Sequence, residues 1–374
     1  MNKLTACSAL LFLATHAVAT AGALGWAPVG PYPSKSNCQP VSFDQPDAVA
    51  VDKSGDIYIG NESGPAALQE VTASTIRTIL DRRMEPIKSG HYFGLSLAMS
   101  PGGSLFLAVR QRGTVEKLNP NGTTTVFTGK PGDRRLLDGD RINARLRSPG
   151  AIAIGPDGVI YVADTRTIRK IVPNGSITTL AGDPHARNPH QCYRGCPYAV
   201  NGRGAHAVFM SPNGIAVSPS GDIYVADGYN GDVEGQAASL GVIRKVTPGG
   251  DVSTLAGTVS TTGGDIDGQG ANASFDYVSG IAVASLSNIY VTEPFAASVR
   301  RINPDGRVST VVSVSAPGYL STNINAPTGI AVTSLGSLVV VDDIAVQGLE
   351  SLTERHVYWL HRIKAGKLQT LCRE

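Results

Sequence analysis

Charged side chains are scarce in this chain. They make up 17% of its 374 residues, below the quarter usual in soluble domains, which excludes a charge-rich disordered chain or a coiled coil. An excess of either sign is missing as well. The 32 Lys and Arg face 30 Asp and Glu, and general affinity for nucleic acid needs a strong basic surplus. Beyond the N-terminus no apolar run approaches the roughly 18 residues needed to cross a bilayer as a helix. Helical periodicity is absent throughout. What is abundant is turn chemistry, with 43 Gly and 23 Pro, enough for a turn-rich globular chain and too few for a low-complexity one.

The first residues read as an export signal. Lys3 supplies positive charge, 4–14 is apolar, and Ala17-Val18-Ala19 and Ala21-Gly22-Ala23 both fit a small-x-small cleavage site. We therefore expect a signal peptide over 1–23, cut after Ala19 or Ala23, an N-terminal segment over 24–45, and a soluble periplasmic or secreted protein. Loss of Cys7 leaves Cys38, Cys192, Cys196 and Cys372, an even number suited to an oxidising compartment. Proximity favours a Cys192–Cys196 staple, which leaves Cys38–Cys372. A metal site using Cys192 and Cys196 with His185, His190 or His206 is the weaker alternative.

A unit of about fifty residues recurs six times from position 46 to the C-terminus. Its first line reads Pro46-Asp-Ala-Val-Ala-Val51, Gly94-Leu-Ser-Leu-Ala-Met99, Pro149-Gly-Ala-Ile-Ala-Ile154, Pro212-Asn-Gly-Ile-Ala-Val217, Val278-Ser-Gly-Ile-Ala-Val283 and Pro327-Thr-Gly-Ile-Ala-Val332. A second apolar run follows, such as Ile160-Tyr-Val162 or Ile223-Tyr-Val225. Then come a third, such as Ile168-Arg-Lys-Ile171, and a fourth, such as Ile177-Thr-Thr-Leu180. Short β-branched runs separated by Pro-Asn-Gly-type turns are hairpin strands. Four per unit in six units predict an all-β six-bladed propeller over 46–374. The links repeat too. Asp138-Gly139, Asn201-Gly202 and Asp267-Gly268 each lead to an Ala and then to an apolar residue (Leu146, Phe209, Phe275), expected to fill the wedge between neighbouring blades. Phe43 and Ile324 take that place in the first and sixth units, and His91 in the second.

These lines resemble the NHL-repeat family, whose units read like Pro-x-Gly-Ile-Ala-Val, Ile-Tyr-Val-Ala-Asp and Ile-Arg-Lys. The resemblance implies a six-bladed propeller and leaves function open, since propellers host binders and enzymes alike. There is a more distant similarity to gluconolactonase- and strictosidine-synthase-like propellers.

Tight turns join strands one to two and three to four. The long connections, 81–92, 129–148, 182–211, 228–241, 258–277, 314–326 and 343–355, all fall on the opposite face, where function is expected. Two polar rings mark that face. The first, at the start of strand one, holds Asp47, Leu95, Gly150, Asn213, Ser279 and Thr328. The second, at the end of strand two, holds Asn61, Val109, Asp164, Asp227, Glu293 and Asp342. Oxygen groups converging on a channel mouth suit calcium (Ca2+). Asn213 is similar to the metal-binding asparagine of the gluconolactonase-type propellers and Asp47 to their aspartate, so Asp47, Asn213 and Asp227 form the candidate metal set. The second ring also has a structural reading, because Asp164, Asp227 and Glu293 each face an Arg on the next strand. His361, which replaces that Arg in the last unit, is expected on the surface. No His occupies either ring, which removes the zinc site of the amidating-lyase propellers. The link 129–148 carries Arg134, Arg135, Arg141, Arg145 and Arg147, a candidate site for an anionic ligand, since Arg forks suit carboxylate and phosphate. The expected function is a monomeric binding module taking a protein, glycan or small molecule on the long-loop face. The alternative is a calcium-assisted hydrolase, lactonase or lyase with its site at the channel mouth.

Overall fold

The computed structural model describes residues 24–28, 39–40, 43, 45–61, 66–72, 75–81, 94–186, 198–233, 236–259, 264–313, 324–346, 355–364 and 367–373. Each recurrent unit folds as an antiparallel sheet in simple up-and-down order. Blade three shows the plan, with strands Pro149–Ile154, Ile160–Asp164, Thr167–Ile171 and Ile177–Ala181. The first strands of the other blades are Pro46–Val51, Leu95–Met99, Pro212–Val217, Ile281–Val283 and Pro327–Val332. Six such sheets make a six-bladed β-propeller, as the repeat predicts.

Blades pack face to face through the β-branched residues of strands one to three. The expected wedge residues are where they should be. Leu146, Phe209, Phe275, Phe43 and Ile324 are all buried, and Phe209 sits in one apolar cluster with Ile168 of blade three and Val225 of blade four. His91 lies outside the described residues.

The Pro-x-Gly of strand one has a steric cause at the ring centre. A Cβ on Gly280 would lie 2.4 Å from the carbonyl oxygen of Thr328 in the next blade. Equivalent atoms on Gly214 and Gly329 would lie 2.5 Å from Ser279 O and 2.7 Å from Asp47 O. Neighbouring first strands therefore approach more closely than any side chain permits.

Three details differ from the sequence expectation. Two of the long connections, in blades four and six, continue as regular hairpins, Ile223–Val233 with Gln236–Val246 and Leu338–Val346 with Arg355–Lys364. Tyr229, Leu240 and Val242 bury against Met210 and hold the first of these in ladder geometry. The last blade has its own four strands, yet Leu24–Pro28 adds a further strand along Lys367–Arg373, with Gly25 opposite Cys372. Gln39–Pro40 also pairs there, with Pro40 opposite Cys372. An unpaired outer strand is a template for association, and this segment covers it. Cys38, Cys192 and Cys196 lie outside the described residues.

Replacing Gly280 by Ala should destabilise the protein by about 1–3 kcal/mol, since backbone oxygen cannot move aside cheaply. Gly102→Ala, where the nearest atom would be 3.9 Å away, should be neutral. Urea unfolding of both variants checks this, and equal losses would contradict it.

Candidate functional site

The second polar ring is buried inside the blades. Arg169 on strand three of blade three has no exposed surface. Its Nη1 donates to Asp164 Oδ2 at 3.1 Å and to the carbonyl of Arg145, and its Nη2 donates to Asp138 Oδ1 at 2.8 Å and to the carbonyl of Leu137. Asp164 also accepts the N–H groups of Arg147 and Ser148, while Asp138 accepts the N–H and hydroxyl of Thr179 on strand four. One guanidinium thus ties strand two, strand three, strand four and the incoming link.

Blades four and five repeat it. Arg244 joins Asp227 at 3.3 Å, Asn201 and the carbonyls of Val200 and Val208. Arg300 joins Glu293, Asp265 and Asp267. Arg244 and Arg300 also lie over the wedge rings Phe209 and Phe275, at 5.3 and 5.4 Å. In blade six His361 takes the position, buried, with Nε2 3.2 Å from Asp342 Oδ2. The surface location expected for His361 is therefore corrected: the third-strand position faces the interior whichever polar residue fills it. Blade two substitutes Glu116, which accepts from Thr114 and Thr124, and blade one a bond from Asn61 to Gln69.

Burial raises the Asp227 carboxyl above its usual range against the opposing pull of Arg244. In blade five three carboxylates share one guanidinium. Burial, partly offset by Arg300 and reinforced by the charge of Asp265, pushes Glu293 up to about 7.

The first ring behaves differently. The ladder between strands one and two slips by a residue after Pro46, Pro149 and Pro212, which makes Asp47, Gly150 and Asn213 β-bulge residues. A bulge re-aims its side chain out of the regular alternation. Asn213 donates to the carbonyls of Gly228 and Val278 at 2.8 and 3.2 Å and accepts from Ser211, so its amide joins blade four to blade five. Asp47, Asn213 and Asp227 are thus not one cluster. Asp227 points into its blade, and Asn213 is held by backbone. Among the described residues no group of three or more His, Cys, Asp and Glu is placed to hold a metal ion.

Asp47 is free of such engagement, and the mouth adds two residues that the sequence patterns did not single out. Arg110 follows strand two of blade two. Its guanidinium lies across Gly94 and Gly150, where a Cβ on Gly150 would meet Nη2 at 2.7 Å. Tyr277 precedes strand one of blade five and packs against Phe295, ring centres 5.4 Å apart. The three groups sense one another. Burial raises Asp47 while Arg110 opposes it. Burial raises Tyr277, with Asp47 adding to the shift and Arg110 opposing it. The one signal that could have found Arg110 is the glycine at position 150, where the other units carry Asp, Leu, Asn, Ser or Thr.

The arginines of link 129–148 divide. Arg145 is buried and bonds Asp133 Oδ2 at 2.7 Å and the carbonyls of Ile142 and Ala144. Arg135 forms a forked pair with Asp133, and together they hold that carboxyl well below its usual range, the Arg135 bonds contributing most. Arg141 sits at the outer edge, over Phe127. Arg134 and Arg147 are exposed on the linker face, Arg134 Nε donating to the Arg147 carbonyl.

The other end of the channel, at the tight turns, opens into a cavity of about 400 Å³ lined by Val51, Met99, Ile154 and Val217, with Asp52 and Lys53 its charged groups.

Comparison with known proteins follows this geometry. A model of the teneurin NHL domain matches residues 128–196 and one of the NHL repeat matches 209–233. Teneurin-m of Drosophila melanogaster is 25% identical over 288 residues, which is 71% of this chain and 10% of that protein. Teneurin-4 of Homo sapiens is 30% identical over 147 residues, 35% of this chain and 5% of its own. The chain thus matches a tenth or less of the length of these relatives. Among solved structures, a gluconolactonase from Xanthomonas campestris superposes with a TM-score of 0.52 at 13% identity, covering 96% of this chain and 99% of that one. A streptogramin B lyase gives 0.51 at 12%, covering 95% and 98%. At such identity the likeness is one of fold.

Two outcomes test the clamps. Arg244→Leu leaves Asp227 buried and unpaired, and should cost about 3–5 kcal/mol; adding Asp227→Leu should restore part of it. Thermal unfolding of single and double variants reads both. Glu293, raised toward 7, binds its proton more tightly folded than unfolded. Its contribution therefore falls as pH rises from about 5 to about 7 and is level above. Glu293→Gln should flatten that part of a stability–pH curve, and an unchanged slope would refute the assignment.

Proposed function

Since the chain carries NHL repeats on a six-bladed propeller, we propose that it is an exported binding module that recognises an anionic ligand or partner on its linker face. What supports this most is the division of its arginines. Arg169, Arg244 and Arg300 are engaged inside the blades, and Arg135 and Arg145 are engaged by Asp133. Arg110, Arg134 and Arg147 stand exposed on the linker side, and none is in an ion pair among the described residues. Exposed guanidinium groups gathered on the linker side suit a negatively charged ligand, although Arg301 and Arg307 are exposed at the tight-turn end of blade five. A calcium-assisted hydrolase draws less support, because Asn213 and Asp227 are engaged elsewhere. Among the described residues no helix is long and apolar enough to cross a membrane.

An array of acidic and neutral glycans and acidic peptides, read at two salt concentrations, tests the reading. Wild-type protein should retain acidic ligands and lose them with salt. Arg134→Glu with Arg147→Glu should weaken that retention at least tenfold, and Lys53→Glu on the opposite face should not. Loss through Lys53 alone, or retention indifferent to all three, would overturn the assignment of the face.

A further inference from the structure

We infer that blade five carries a proton-operated latch on the linker face: a proton shared by Asp265 and Glu293 holds the incoming link against the blade, and its loss lets Asp265 go. The latch acts on the face proposed for binding but does not depend on what that face binds.

Blade five departs from its neighbours at one position. A short bridge closes the link in each, pairing Leu137 with Arg145, Val200 with Val208 and Ile266 with Ser274. The residue before the bridge is Leu136 in blade three, Ala199 in blade four and Asp265 in blade five. Of these three blades only the fifth puts a carboxyl there, beside a clamp that already has its acid. Arg300 Nη1 donates to Glu293 Oε2 at 2.8 Å and also to Asp265 Oδ1, while its Nη2 donates to Asp267 Oδ1 at 2.7 Å. The side chains of Arg300 and Glu293 have no exposed surface, and that of Asp265 is 27% exposed. Fully ionised, the cluster would set three negative charges against one positive. Acids that share a buried site cannot all ionise, so one keeps its proton. The Asp265 and Glu293 carboxyls are hydrogen-bonded to each other. Two carboxylates cannot make that bond, whereas a carboxylic acid donates it to a carboxylate.

The bonds around each acid decide which one leaves when the proton does. Glu293 accepts the N–H of Asp276 and the hydroxyl of Ser298 as well as Arg300. Asp267 accepts the N–H and hydroxyl of Thr310. Burial would raise its carboxyl, but the bonds from Arg300 and Thr310 outweigh that and keep it below its usual range. Asp265 is bonded through its carboxyl to Arg300 and Glu293, and water reaches it. The charged side chains facing Glu293 are Arg300 from strand three and Asp265 from the link, with Asp276 offering its N–H; Asp267 adds its charge to Asp265. Burial raises both Asp265 and Glu293 against the pull of Arg300, and Glu293 reaches about 7. Below that pH the shared proton bridges link and blade. Above it both acids are charged, and repulsion expels Asp265, the least held of the three. Ile266 and Ser274, next along the link, exchange N–H to carbonyl bonds of 3.2 and 3.1 Å, and these lose their anchor.

Hydrogen–deuterium exchange of the full chain at about pH 6 and about pH 8, corrected for intrinsic exchange rates, reads the latch. Protection of the Ile266 and Ser274 amides should fall about tenfold from the lower to the higher pH. The matching amides of blade four, Val200 and Val208, which exchange the same bonds, should stay level. Asp265→Ala gives blade five the residue of blade four and should remove the pH dependence. Glu293→Gln should keep the link protected at the higher pH, because an amide donates to Asp265 without a titrating proton. Asp265→Asn should lock the link in the same way, and its place at the partly exposed end of the cluster makes it the safer substitution for folding. A wild-type link indifferent to pH, an equal loss at Val200 and Val208, or a loss that persists in Asp265→Ala or Asp265→Asn would each overturn the latch.

Discussion

A buried guanidinium that reaches four chain segments at once is the constraint on which the rest of this propeller depends. In blades three, four and five the third-strand Arg bonds the acid ending strand two and the carbonyls of the incoming link, and it reaches strand four through the Asp or Asn of that link. Up-and-down sheets have no crossover to fix where one blade meets the next. The Arg supplies that fixity, and in blades four and five the wedge Phe packed against it adds burial. Such a group is costly to bury, and its net contribution to stability is small when compared with an apolar replacement. Its value lies in geometry. It fixes the path of the links, and the links form the face on which the exposed arginines stand.

The bulges complete the division of labour. Where the ladder runs regularly, side chains alternate between packing against one neighbouring blade and the other. The extra residue after Pro46 and Pro212 breaks that alternation at Asp47 and Asn213. Asn213 then joins neighbouring blades by bonding backbone, while Asp47 senses the charge of Arg110. Two positions equivalent in the repeat thus differ according to what lies next to them, Asn213 being held by backbone carbonyls and Asp47 not, and no reading of the repeat alone could assign them.

The fold was legible because its causes are local and repeated. β-Branched runs, Pro-Asn-Gly turns and an apolar residue at a fixed distance in each link appear several times, so each copy corroborates the others. The acid–Arg pairing was legible as well, from the same periodicity. Asp138, Asn201 and Asp267 were visible as a recurrence, but their bond to strand four depends on how the link folds back over the blade edge. His361 was misjudged because a histidine in place of an arginine suggests relaxation, whereas the position is interior. Arg110 was missed because it lies one residue beyond the ring that the repeat draws attention to, in the blade where that ring holds only Val109. The basic link read as one patch. Folding separates it, since Arg145 turns inward and Arg135 closes on Asp133.

What emerges is a ring that keeps its fold-holding charges inside the blades and carries Arg110, Arg134 and Arg147 exposed on its linker side, where the proposed anionic ligand would meet them. Hydrogen–deuterium exchange with and without polygalacturonate addresses this most directly. The account predicts protection in peptides spanning 94–113, 129–150 and 273–297, which carry the mouth and the linker face, with the tight turns at 100–104 excepted and those at 333–337 unchanged. Protection concentrated in the turns at 52–56, 100–104 and 333–337, around the opposite mouth, would contradict it.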